Sequence, residues 1–127
     1  MLQSISDYCK TIEGDTVYWC MGNEPVLQLV LNWTESCKRL NIPMLYVALD
    51  LQTYHIVSSL KIPTVLVPQG KHHVFVYKFI VGQQIMNAGK NWFYTDVDCV
   101  ARVDYTAEVE ALFDAGADMI CQSVKQY

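Results

Sequence analysis

Two aspartates, Asp96 and Asp98, follow an apolar run and are the residues of this chain best suited to chemistry. The run at 91–95 is bulky and aromatic, which is typical of a buried strand. Residues two apart in an extended backbone point to the same side, so we expect both carboxylates on one side. Two such charges raise each other's pKa unless a cation compensates. Mg²⁺ and Mn²⁺ sites often use one or two carboxylates together with substrate phosphates.

Elements that could position this pair follow from the hydrophobic pattern. Apolar runs bounded by turn residues predict strands at 16–21, 44–49, 64–67, 91–95 and 117–121. Between them, apolar residues spaced three or four apart predict helices. The clearest stripes contain Val26, Val30, Trp33, Cys37 and Leu40, and then Val74, Tyr77, Val81, Ile85 and Ala88. A short helix is expected at 52–60, and a last one capped by Thr106 and ended by Gly116.

This alternation of strands and helices predicts an α/β domain. Its sheet should be mostly parallel, with helices on both faces. Ligands of such folds bind beyond the carboxyl ends of the strands. The aspartate pair and the loop Cys20-Met21-Gly22-Asn23 would therefore lie close together, since each follows a strand. Gly22 would allow close backbone approach there.

Length and charge narrow the function classes. A chain of 127 residues is expected to form a single domain, 1–127, with a substantial core. Its formal net charge of −4 argues against a nucleic-acid partner, because nucleic-acid binding needs a basic footprint. Nucleotides stay compatible, since they need only one or two local cations and a few backbone amides.

Cysteine usage and the absence of targeting segments bear on the compartment. The five cysteines are widely spaced and include no C-x-x-C pair, which favours buried free thiols in a cytoplasmic or other reducing compartment. The first residues lack the basic and apolar regions of a signal peptide. No apolar stretch approaches the ~18 residues that a membrane span needs.

Several segments together resemble the nucleotide-diphospho-sugar transferase family of GT-A-fold glycosyltransferases. They occur in order along most of the chain. The more specific are the Asn-Trp helix and the Gly…Asp-Val-Asp block. The matching segments are Leu31-Asn32-Trp33…Ser36-Cys37-Lys38-Arg39-Leu40, Val47-Ala48-Leu49-Asp50…Thr53-Tyr54, Tyr77-Lys78, Asn87-Ala88-Gly89-Lys90-Asn91, Phe93-Tyr94-Thr95-Asp96-Val97-Asp98 and Ala117-Asp118-Met119-Ile120…Gln122-Ser123.

The resemblance implies a metal-dependent transferase with a GT-A-like, Rossmann-like sheet. Such enzymes move a sugar from a nucleotide-diphosphate sugar to an acceptor, here an unknown glycan or protein. Asp96 and Asp98 would hold Mn²⁺ or Mg²⁺ against the diphosphate, with Asp98 bound directly. The residues implied in nucleotide-sugar binding are Cys20, Met21, Gly22, Asn23, Asp50, Lys78 and Val97. Lys78 would offset negative charge on the leaving diphosphate.

The chain departs from the family pattern in two ways. Cys99-Val100-Ala101-Arg102 follows the acidic motif without the proline that is usual there. Family domains also continue beyond the length of this chain, which implies a C-terminally truncated, incomplete transferase domain without its acceptor half. A non-catalytic nucleotide-sugar-binding or assembly module is therefore the alternative. An open sheet edge would further favour self-association.

Simpler roles compete with these assignments. Asp96 and Asp98 could be a solvated pair at a turn, and the loop Cys20-Met21-Gly22-Asn23 could be an ordinary turn. Lys78 could be a solvated helix lysine, and Asp50 could equally cap the helix that follows it. The loop histidines His72 and His73 are more simply exposed residues than metal ligands. The tryptophans at 19, 33 and 92 are most simply core.

Overall fold

The computed structural model describes residues 4–120, which form an alternating series of helices and parallel strands. In chain order these elements are α1 (Ile5–Thr11), β1 (Thr16–Gly22), a 3₁₀ turn (Glu24–Val26), α2 (Leu27–Arg39), β2 (Leu45–Ala48), α3 (Leu51–Ser59), β3 (Thr64–Leu66), α4 (Val74–Asn87), β4 (Asn91–Tyr94) and α5 (Thr106–Asp114). The predicted alternation is confirmed from β1 through α5.

The four strands form one sheet in the order β3-β2-β1-β4. All three pairings are parallel. Trp19 in β1 is the register partner of both Leu45 in β2 and Tyr94 in β4. Every residue of β1 is buried, as expected for a strand with neighbours on both sides. The predicted parallel α/β sheet is thus confirmed, and it is Rossmann-like.

Helices cover both faces of this sheet, because alternate residues of each strand enter different cores. On one face, Val17 and Trp19 of β1 pack with residues of α1 and α4. On the other face, Cys20 packs with Val30, Trp33 and other residues of α2 and α3. The sequence-predicted stripe of α2 supplies the second core, and that of α4 supplies the first.

The chain changes the side on which it adds strands at β1. The chain moves outward from β1 to β2 and β3, and then returns through α4 to place β4 on the other side of β1. The gap between the carboxyl ends of β1 and β4 is therefore the switch point at which open α/β sheets bind ligands. The segment after β4 carries Asp96 and Asp98.

Several helix ends form as their residues predict. Asn41 has a φ of 55° just after α2, and Gly89 has a φ of 81° just after α4. Both lie in the left-handed region that ends helices. Asp50 caps α3, since its side chain accepts a hydrogen bond from the Thr53 N–H.

Two predicted features at the C-terminal side are wrong. Residues 117–120 form no strand, and Cys121, the last residue of that predicted element, lies outside the described residues. Thr106 is the first residue of α5 and not its cap. Its N–H and hydroxyl both donate to the carboxylate of Asp104, at 3.0 and 2.7 Å. The short polar side chain that satisfies the helix start is thus two residues earlier.

The N-terminal helix α1 was not predicted. It is only seven residues long, with Ser4 accepting a hydrogen bond from the Asp7 N–H at 3.0 Å. Its buried side chains are Ile5, Tyr8 and Cys9. Tertiary packing therefore stabilises a segment too short to show a clear period.

The cysteines partly follow the expectation. Cys9, Cys20 and Cys37 are buried free thiols, but Cys99 is an exposed one. Cys121 lies outside the described residues. Among helices that the structure describes, none has the length and apolar character needed to cross a membrane.

Candidate functional site

The aspartate-bearing loop begins where β4 ends, at Tyr94. The Cys99 N–H donates to the Asp96 carbonyl at 3.0 Å, so residues 96–99 form a turn. The prediction of an extended backbone through both aspartates is therefore wrong. Asp96 is 60% exposed and Asp98 is also exposed. This geometry is that of the simpler interpretation, a solvated pair at a turn, and it leaves both carboxylates open to solvent and to a ligand.

The strand before this loop is also less buried than predicted. Asn91 is exposed, and Trp92, Phe93 and Tyr94 are each only partly buried. The reason is position: within residues 4–120, β4 pairs with β1 alone and forms an edge of the sheet. Aromatic residues at an edge give the same apolar run as a central strand, so the sequence does not distinguish the two.

Helix α2 holds both ends of the aspartate loop. Trp33 Nε1 donates to Thr95 Oγ1 at 2.9 Å, directly before Asp96. At the other end, the Ala101 N–H donates to Ser36 Oγ at 3.1 Å. Ser36 in turn donates to the Trp33 carbonyl at 2.8 Å. Residues 95 and 101 are thus tied to a single helix.

Sequence reasoning missed this arrangement and assigned Trp33 to the core. Trp33 is indeed buried, at 2% exposure, but its ring nitrogen needs a partner and finds one in the loop. The only hint in the sequence was that the Asn-Trp helix and the acidic block were the two most specific parts of the resemblance. Neither pattern alone indicates that the two segments touch.

Val97 lies between the aspartates and turns inward. Its side chain is partly buried against the core formed by α2, α3 and the sheet. A contact between Val97 and a nucleotide-sugar stays a prediction. Apolar packing at Val97 gives the turn a second attachment besides the hydrogen bonds to α2.

Lys78 of α4 approaches the same loop from the opposite face of the sheet. Its Nζ lies 3.9 Å from Asp96 Oδ1 and 4.3 Å from the centroid of the Tyr94 ring. The Phe75 ring is farther, at 5.9 Å. The Lys78 side chain is 28% exposed and is therefore only partly solvated. It is a cation held at the edge of the aspartate loop.

The loop after β1 lies at the same edge, but most of its side chains face inward. Cys20 and Met21 are buried, and only Asn23 is partly exposed. A Cβ added at Gly22 would lie 2.7 Å from the Tyr46 hydroxyl oxygen and 3.0 Å from a Val26 methyl group. The space that glycine leaves is thus filled by the protein's own side chains. A ligand could reach this loop through Asn23 and the adjacent backbone.

Asp50 joins the β1 loop to α3. Its two carboxylate oxygens accept from the Thr53 N–H and from the Glu24 N–H, each at 2.7 Å. Burial alone would raise the pKa of Asp50, but hydrogen bonds from Thr53 and Glu24 outweigh it and lower the pKa. The capping role is confirmed, while a contact with base or ribose stays a prediction.

The loop histidines also have a structural explanation. Both His72 and His73 are exposed. His73 caps α4 by accepting a hydrogen bond from the Phe75 N–H at Nδ1, at 3.3 Å. This geometry supports the simpler of their two interpretations.

Acidic groups crowd the start of the aspartate loop. The pKa of the Tyr94 hydroxyl is raised, first by burial and then by neighbouring acidic groups that include Asp96 and Asp98. Burial also raises the pKa of the Cys99 thiol, and the carboxylates of Asp98 and Asp96 add to it. The two carboxylates therefore add to the effect of burial in keeping Tyr94 and Cys99 protonated.

The residues present fit a hard divalent cation in part. Within residues 4–120, no group of three or more His, Cys, Asp or Glu side chains is arranged to hold a metal ion. Proteins commonly supply only one or two carboxylates as ligands to Mg²⁺ or Mn²⁺, and water and phosphate oxygens supply the other ligands. Two exposed carboxylates are therefore sufficient as the protein's part of such a site. The two shallow cavities, about 520 and 270 Å³, lie beside α3 and between α1 and α4, away from this loop.

Comparison with known proteins adds no assignment. The chain matches no protein-family model, no curated protein and no solved structure.

Proposed function

We propose that this domain binds a nucleotide-diphosphate sugar through a divalent cation at Asp96 and Asp98 and belongs to the GT-A-type glycosyltransferases. The observation that carries the proposal is the position of the exposed aspartate pair at the switch point of a parallel sheet. The nucleotide would extend toward Asn23 at the end of β1, since β1 and β4 are neighbours.

The chemistry of the proposed site is compatible with a diphosphate. The carboxylates alone repel an anion, and Mn²⁺ or Mg²⁺ held by Asp96 and Asp98 would make the site attractive to one. Lys78 adds a positive charge 3.9 Å from Asp96. A metal and a lysine on one diphosphate would both stabilise the negative charge that develops when the sugar–phosphate bond breaks.

Calorimetry of nucleoside diphosphates tests this proposal. UDP, GDP and ADP are titrated into the protein with Mn²⁺ and with a chelator. We expect at least one of them to bind at least tenfold more tightly with Mn²⁺, because the cation removes the repulsion between carboxylates and phosphates. Asp98→Ala should abolish the difference, whereas Asp118→Ala, a matched acidic substitution beyond α5, should preserve it. Equal affinities with Mn²⁺ and chelator would reject the metal assignment.

Binding without turnover is the second candidate function. It is favoured by the small number of ligands, since no third His, Cys, Asp or Glu side chain within residues 4–120 is arranged with the pair to hold a metal ion. Catalysis would additionally need an acceptor held in line with the sugar. Release of nucleoside diphosphate from sugar donors, measured with and without candidate glycan acceptors, distinguishes the two functions.

A further inference from the structure

Lys78 has an unusual setting for a lysine at a site proposed to bind a cation. Its ammonium lies over the Tyr94 ring, with 4.3 Å between Nζ and the ring centroid. The same ammonium lies 3.9 Å from Asp96 Oδ1. An aromatic face and a carboxylate both favour a positive charge at this point. The lysine therefore occupies the cation-attracting side of Asp96.

The contact with Asp96 is a displaceable one. A distance of 3.9 Å is longer than a hydrogen bond, and Asp96 is 60% exposed. Exposed pairs of this kind contribute little, because solvent screens them. The contact with the Tyr94 ring is independent of Asp96 and would hold the lysine near the loop when the carboxylate is taken by another cation.

We propose that Lys78 is the resident counter-ion of Asp96 and that a divalent cation displaces it, which leaves its ammonium free for the diphosphate that arrives with the metal. This inference rests on the proposed function and adds to it a competition between Lys78 and the divalent cation for Asp96. Lys78 opposes binding of the metal alone and supports binding of metal and diphosphate together. It makes the site selective for the complete metal–diphosphate ligand over the free metal.

The opposite signs of these two effects give the test. Mn²⁺ alone is titrated into wild type and Lys78→Met, and the free ion is followed by electron paramagnetic resonance. We expect Lys78→Met to bind Mn²⁺ roughly two- to fivefold more tightly, the range that loss of an exposed ion pair implies. With Mn²⁺ saturating, calorimetry with the nucleoside diphosphate that wild type prefers should show at least tenfold weaker binding, since a charge-assisted contact is lost.

Two further variants separate charge from structure. Lys78→Arg keeps a cation over the ring and should keep diphosphate affinity within about threefold of wild type. Lys90→Met removes the same charge at the amino end of β4, where Lys90 Nζ donates to the Gly14 carbonyl. It should change neither affinity. Circular dichroism and thermal melting confirm that each variant is folded.

The outcomes distinguish this inference from the proposed function. Unchanged affinities in Lys78→Met, or changes of the same sign for metal and for diphosphate, would overturn the role of Lys78 while wild-type binding still supports the site. Absence of any Mn²⁺-dependent diphosphate binding in wild type would reject the proposed function, and the competition with it. Tighter metal binding and weaker diphosphate binding in Lys78→Met, together with near wild-type diphosphate affinity in Lys78→Arg, establish the competition.

Discussion

At the residue scale, the hydrogen bond from Trp33 to Thr95 fixes the start of the aspartate loop. Trp33 is almost fully buried, and Thr95 is also held by its own N–H, which donates to the Trp19 carbonyl at 3.1 Å. Loss of the indole bond would leave Thr95 attached to the sheet but no longer to α2. The loop would then sample more positions, and metal–diphosphate affinity should fall.

A double-mutant cycle measures this bond. Thr95→Val removes the acceptor with little change in shape, whereas Trp33→Phe removes the donor and also shrinks a buried side chain. The cycle subtracts this packing cost, and the remaining coupling should be about 1 kcal/mol in the free energy of unfolding. Urea denaturation gives the stabilities, and calorimetry gives the diphosphate affinity with Mn²⁺. If both single variants bound the ligand as well as wild type, the bond would be purely structural.

Asp50 should make stability depend on pH in the acidic range. Its pKa is lowered from an ordinary value of 3.8, so the folded state binds its proton more weakly than the unfolded state does. The contribution is fully present above pH 3.8 and is lost as pH falls through the lower folded pKa.

Asp50→Ala tests this contribution. It should cost about 1–2 kcal/mol at pH 7, because α3 loses its cap and the Glu24 N–H loses its partner. Urea denaturation gives the free energy of unfolding at pH 7 and near pH 3. The decrease between the two pH values should be smaller in the variant than in wild type. Asp7→Ala, an acidic substitution in α1, serves as the control. An equal acid loss in wild type and Asp50→Ala would contradict the assignment.

At the element scale, the contact between α4 and β4 places Lys78 beside Asp96. Gly82 makes it possible, since a Cβ there would lie 2.6 Å from the Trp92 ring. The helix therefore packs directly on the indole of the edge strand. Lys78 is one turn earlier on α4, and Asp96 is two residues beyond the end of β4.

Gly82→Ala should separate these two elements. We expect a loss of about 1–3 kcal/mol in the free energy of unfolding from overpacking, together with weaker diphosphate binding. Gly14→Ala, where an added Cβ meets nothing within 4 Å, is the matched control. Unchanged stability in Gly82→Ala would show that the Trp92 ring moves aside at little cost.

Helices were predicted well where the apolar repeat extended over several turns and a residue that ends helices followed it. Helix α4 has both, with its inward stripe and Gly89 at its end. The fifth strand was wrong because a short apolar run such as 117–120 has no period that separates strand from loop. The exposure of β4 was missed because sheet order, which decides whether a strand is an edge, depends on the crossover of α4 and not on the strand's own residues.

At the scale of the whole molecule, the position of the aspartate loop in the sheet was predictable from the sequence, and the contacts that hold the loop were not. Alternation alone places strand ends at one edge, which brings Asp96 and Asp98 near the β1 loop. The contacts of Trp33, Ser36 and Lys78 with the aspartate loop join segments far apart in sequence, and no local pattern encodes them. Self-association through a sheet edge stays a prediction that sedimentation velocity would test.

A ligand at the switch point should stabilise the entire domain. The proposed site joins β1, β4, α2 and α4, so its ligand binds the folded chain and not the unfolded one. At a free concentration 100 times its dissociation constant, such a ligand adds about 2.7 kcal/mol, which shifts the melting temperature by on the order of 10 °C. A thermal-shift panel of nucleotide-sugars with Mn²⁺ should identify the donor by this increase. Asp98→Ala should melt near the wild-type temperature without ligand, because Asp98 is exposed, and should show no shift with it. A donor that raised the melting temperature equally in wild type, in Asp98→Ala and in a chelator would bind elsewhere on the protein and would remove the aspartate pair from the site.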